Sequence, residues 1–220
     1  MTLIEGAVKT IKNADELFDE ARLLADAGRV ARALLLHQIS LEECGKAELL
    51  YVSLIEVLRG QLVDLKQLSK VLARHAAKNK TNAYFLPTTE AEISAGERND
   101  SKASVSAFNE LKETFHKESN DLKNASLYVD FDGTFVAPSE VILKEHLAEA
   151  LDRNGQFMLM AMDKLRLVMH WATDLDAAAG EVAALRAALG MDALDRSKPE
   201  TFEAFSKRLE GMFAALDKKT

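Results

Sequence analysis

Apolar residues return at steps of three and four along nearly the whole chain, and that spacing selects helices over strands. The first run holds Ile4, Val8, Ile11, Leu17, Phe18 and Leu24 and meets a stop at Gly28. A second extends from about Arg29 to Leu58, before Gly60, and is dense in Leu34, Leu35, Ile39, Leu49, Leu50, Leu54 and Ile55. Apolar content on several faces suits a central helix, the spine of a bundle. Only ten Gly and three Pro interrupt 220 residues, which suits long helices and not a turn-rich β-sandwich.

The remaining elements follow by the same reading. A third helix is expected from about Gln61 to Lys80, ending before Asn82 and Pro87. The polar stretch AGERNDSKAS reads as a mobile segment, and helical character returns near Ser104 to Asn124. LYVDFDGTFVAP flanks the turn pair Asp132-Gly133 with aromatic and β-branched residues, predicting a short hairpin or an ordered loop. Ser139 is the expected N-cap of a second long helix reaching Trp171. An Ala-rich helix ending near Gly190 and an amphipathic one opening around Ser197 should pack on the bundle. The expected architecture is therefore all-α: one domain over 1–220, with a core of about 3–175 and a C-terminal helical extension of about 176–220.

Several function classes drop out. Cys44 is the single cysteine, so one chain can build neither a disulfide framework nor a multi-thiolate metal site. Glu113-x-x-His116 is half of a di-metal carboxylate motif with no second copy, and no P-loop, dinucleotide fingerprint or nucleophile elbow occurs. No metal or cofactor is expected. MTLIEGAVKTIKNADELF lacks the pattern of a secretory signal, and no stretch approaches the ~20 apolar residues of a membrane span, so a cytoplasmic protein without membrane contact is expected. A formal net charge of −7 restricts any nucleic-acid contact to a local basic patch.

Two polar clusters interrupt the apolar pattern. ISLEECGKAELLY sets Glu42, Glu43 and Lys46 inside the second helix, with Lys46 one turn from either acid. This is either a solvated intrahelical ion pair or a partly buried one. Gly45 weakens the helix by ~1 kcal/mol relative to Ala, which points to a close helix crossing. Lys46 is expected to be buried with its acid and Lys78 to be exposed. Arg32, three turns before Glu43, can share its stripe. LSKVLARHAAKNK gathers Lys70, Arg74, His75, Lys78 and Lys80 without an acid: a phosphate-binding patch, or a basic helix end complementing its dipole. Arg32 and His37 would project about 140° apart on one helix. His37, beside Leu41 and Cys44, reads as a packed histidine.

Taken together, Glu42-Glu43-Cys44-Gly45-Lys46, His75-Ala76-Ala77-Lys78 and the run from Lys123 through Tyr128-Val129-Asp130 to Pro138 resemble the AbiV (abortive infection) branch of the HEPN superfamily, over about Asn13 to Ile142. The resemblance implies a helical bundle, a homodimer and a role in phage defence, with RNA and a phage or antitoxin protein as partners. Many HEPN relatives are metal-independent ribonucleases. Their late Arg-to-His motif is missing here, because Met158, Leu159 and Met160 stand where the His after Arg153 would fall.

Two functions are weighed on these residues. One is an RNA-targeting, metal-independent endoribonuclease, with His75 as general base toward a ribose 2′-OH, Glu43 orienting a lysine or assisting proton transfer, and Lys46, Lys78 and Arg32 stabilising phosphate charge. Arg74, Lys123 and Tyr128 would complete substrate binding, and Glu43, Lys46, His75, Lys78 and Tyr128 are expected to converge on one cleft. The other is a non-catalytic helical interaction module of a defence or toxin–antitoxin system.

Overall fold

The computed structural model describes residues 1–191. Helices α1 (Thr2–Asp26) and α2 (Val30–Leu58) form an antiparallel hairpin turned at Gly28, whose φ of +72° is the left-handed conformation that glycine tolerates. Alternate turns of the two helices supply Ile11, Ala14, Leu41, Cys44 and Ala47 to one core cluster, and the Ser40 hydroxyl donates across the seam to the Ala14 carbonyl at 2.7 Å.

The expected helix over 61–80 is two helices, α3 (Leu65–Leu72) and α4 (His75–Asn82). Asp64 caps α3 by accepting from the amides of Lys66 and Gln67, and Arg74 is extended at the break. Burial explains the break: α3 buries none of its residues, whereas α4 turns Lys78, Asn79 and Asn82 onto the bundle. The segment expected to be mobile spans the end of one helix and the start of the next. Thr89 and Glu92 form a capping box that opens α5 (Glu90–Glu97), and Asp100 caps α6 (Ser101–Leu127) by accepting from Ala103.

The Asp-Gly turn is a hairpin, with β1 (Asp130–Phe131) antiparallel to β2 (Phe135–Val136) and Phe131 opposite Phe135. The long helix expected from Ser139 is also divided. Ala137 is the N-cap and Pro138 opens α7 (Pro138–Val141), with Glu140 accepting from the Ala137 amide. The chain then extends at Ile142, which is buried with Ala31, Leu34 and Ala150, before α8 (Lys144–Trp171) begins. Burying Ile142 at that end of the bundle demands the kink. Finally α9 (Leu175–Leu189), capped by Asp174 and closed by Gly190, packs Ala178 and Val182 against Leu3, Ile4, Leu54 and Trp171.

The architecture is thus an all-α, HEPN-like bundle in which α2 and α8 are the long central helices. Spine helix α2 touches α1, α8, α4, α6 and α9. Among the described residues no helix is long and apolar enough to cross a membrane. The amphipathic helix expected from Ser197, and the rest of the extension beyond Met191, lie outside the described residues.

Candidate functional site

The polar centre of the bundle is Glu42, not Glu43. Its carboxylate is nearly inaccessible, yet two lysines and a histidine from two other helices reach it. From α4, His75 Nδ1 lies 2.5 Å and Lys78 Nζ 3.0 Å from Oε2; from α6, Lys123 Nζ donates to Oε1 at 2.7 Å. Burial alone would raise the Glu42 pKa. Hydrogen bonds from Lys123, His75 and Lys78 outweigh that cost and hold the carboxyl below its ordinary value, so Glu42 is a carboxylate at neutral pH.

Gly45 makes the approach of α4 possible. A Cβ added there would sit 2.5 Å from the Lys78 carbonyl oxygen and 2.9 Å from Asn82 Oδ1. Asn82 fastens the same crossing by donating to the Leu41 carbonyl at 2.7 Å. The glycine thus lets α4 lie close enough for a short histidine and a lysine to share one carboxylate, and the crossing inferred from Gly45 is present.

Lys78, expected to be exposed, is buried with 8% of its side chain accessible, whereas Lys46 retains 27%. The imidazole of His75 is 59% accessible, so it faces outward while its Nδ1 is anchored inward. α4 begins at His75 with Arg74 at its N-cap and no side chain capping the first turn, which sets the positive end of the helix beside the ring.

The expected convergence is only partial. His75, Lys78 and Lys123 come together, joined by Glu42. Glu43 and Lys46 form a separate pair at 2.5 Å, and Asn13 of α1 donates to Glu43 from 3.2 Å. Neighbouring residues on a helix project about 100° apart, so Glu42 addresses α4 and α6 while Glu43 addresses α1. Arg32 donates to the carbonyls of Ser126 and Leu127, both at 3.2 Å, where it caps the C-terminal end of α6. Tyr128 follows that end with its ring 61% exposed and outside the cluster. Arg74 is exposed at the rim.

Two contacts at this α4–α6 seam escaped the sequence reading. Asn79 Nδ2 lies 3.4 Å from His116 Nδ1, and Lys80 donates to Glu113 at 2.5 Å. The Glu113-x-x-His116 spacing thus marks a helix face packed on α4, a role that only the partner helix reveals. His37 is fully buried, edge-on to Phe18 and 3.3 Å from Asn154 Nδ2, as expected of a packed histidine. Burial pushes its pKa down to about 4. The Cys44 thiol, also buried, is pushed up to about 12 and is no nucleophile at neutral pH.

The family model for AbiV, of the HEPN class, matches residues 2–158, which spans α1 to the middle of α8 and includes every residue of the Glu42 cluster. The chain belongs to the AbiV family. A relative from Sinorhizobium fredii (strain NBRC 101917 / NGR234), the uncharacterized protein y4gJ, is 40% identical over 114 residues, or 51% of this chain and 59% of that protein. The chain therefore matches about three-fifths of its relative's length. No solved structure matches it. In this AbiV protein Phe157 and Met158, which follow Arg153, are buried core residues, and Arg153 lies over the ring of Phe115.

Proposed function

We propose that this AbiV protein is an abortive-infection effector that acts on RNA as a metal-independent endoribonuclease, with His75 as general base. The observation that carries the reading is the Glu42–His75 contact. A buried carboxylate that accepts from Nδ1–H fixes the tautomer, leaving the outward Nε2 with a lone pair able to take a proton from a ribose 2′-OH. Lys78 and Lys123 neutralise Glu42, and the start of α4 with Arg74 offers positive potential to a phosphate. The acid that sets the imidazole is Glu42 in this scheme; Glu43 and Lys46 hold α1 against α2.

A second reading has its own support. Lys78 and Lys123 are already committed to Glu42, as in a seam built to lock three helices, while the hairpin displays Tyr128, Val129, Phe131 and Phe135, each at least 61% exposed. Exposed apolar clusters of this kind mark protein interfaces, so the chain would work as a homodimer or by binding a phage or antitoxin protein. Purified protein incubated with total RNA in EDTA, beside a folded His75→Ala variant, separates the two. Cleavage that disappears with His75 supports the ribonuclease; no cleavage, or cleavage unchanged in the variant, leaves the interaction module.

A further inference from the structure

We infer that His116 is a second phosphate-binding residue of this site, set in the tautomer opposite to that of His75 so that it donates where His75 accepts. The inference rests on the proposed RNA-directed reading and assigns the group that holds the phosphate. It starts from the ladder between the antiparallel helices α4 and α6, on which His75 and Lys123 meet at Glu42, Asn79 meets His116, and Lys80 meets Glu113. His75 and Asn79 are one helical turn apart, roughly 6 Å of rise. The two imidazoles therefore stand at successive levels of one seam, His75 exposed and His116 half-buried.

The partners of the two rings are chemically opposite. Glu42 is a carboxylate and can only accept, so a neutral His75 carries its proton on Nδ1 and leaves Nε2 as an acceptor. The Asn79 group that faces His116 is its amide nitrogen, which can only donate. Nδ1 of a neutral His116 must then be the acceptor, and its proton resides on Nε2. One ring is prepared to receive a hydroxyl proton, the other to give a hydrogen bond to a non-bridging phosphate oxygen without changing its own charge state.

Two buried polar atoms on the same seam add an independent observation. Asn79 Oδ1 and Ser119 Oγ have no hydrogen-bond partner among the described residues, although Asn79 is 1% and Ser119 3% accessible. Ser119 lies between His116 and Lys123 on one stripe of α6. An acceptor and a hydroxyl left without a protein partner along this stripe are groups that a further hydrogen-bonding molecule would satisfy.

The test uses the full chain. Long-range ¹H–¹⁵N spectra of labelled protein report each histidine tautomer without any need for turnover. The expected result is Nδ1–H at His75 and Nε2–H at His116, and the same tautomer at both would overturn the inference. Titration with a non-cleavable 2′-deoxy oligonucleotide should shift the His116 Nε2 signal, and a signal that stays still at saturating oligonucleotide contradicts the assignment. Where the wild type cleaves RNA, His116→Ala should lower kcat/KM by about a hundredfold, and His116→Gln, which retains an N–H donor, should recover much of that loss. Cleavage abolished by His75→Ala but untouched by His116→Ala would remove this inference and leave the ribonuclease standing. Absence of all cleavage would remove the ribonuclease, and the tautomer and titration results would still decide the role of His116 in binding.

Discussion

Substituting Gly45 by alanine tests whether the α2–α4 crossing builds the site. On helix propensity alone the change stabilises α2 by ~1 kcal/mol. The structure predicts the reverse. The new methyl would stand 2.5 Å from the Lys78 carbonyl oxygen, against an ordinary carbon–oxygen contact of ~3.3 Å, so α4 must retreat by most of an ångström. Overpacking of this kind costs ~1–3 kcal/mol, and the retreat stretches the buried Asn82 bond to Leu41 and the Lys78 contact to Glu42, which adds ~1 kcal/mol. Net destabilisation should be about 2 kcal/mol, a fall of ~4–8 °C in Tm for a chain of this size. Urea unfolding followed by circular dichroism reads it. An alanine variant as stable as the parent, or more so, would refute the claim that backbone contact at Gly45 sets the position of α4.

Other expectations follow from burial and charge. Lys78→Ala should destabilise by ~2 kcal/mol or more, because it removes a buried partner of Glu42, while Lys46→Ala should cost under ~1 kcal/mol; equal unfolding midpoints would contradict the burial of Lys78. His37 titrates near 4 when folded and near 6.5 when unfolded, so between these values the unfolded chain binds more protons. Stability should therefore be full above pH ~6.5 and decline towards pH ~4, by ~2–3 kcal/mol in all, and a His37→Gln variant with the same pH slope would exclude His37 as the cause. Glu42 has the ordinary carboxylate sign: its contribution is present above pH ~4.5 and is lost as pH falls through its lower folded value. Phe131→Ser with Phe135→Ser should leave Tm within about 2 °C, since both rings are exposed, but convert a dimer to monomer in sedimentation if the hairpin forms the interface.

How much of this was legible in the sequence depends on the distance over which each feature is decided. Apolar spacing and glycine stops located α1, α2 and the end of α9 because a helix and its cap are settled within a turn or two. The two divided helices were not legible. Neither break is made by a strong local breaker: at Arg74 and Ile142 it comes from what the following turn must bury. Glu42 and Glu43 show the same limit at the site. Lys46 is one turn from either acid, and spacing could only nominate both. Glu43 keeps that local lysine, while the partners of Glu42 come from as far as 33 and 81 residues away. An acid satisfied by its own helix needs nothing further from the fold. An acid whose own-helix lysine is taken by its neighbour can be buried only where other helices bring cations to it, so the assembled bundle is what turns Glu42 into the centre of the site.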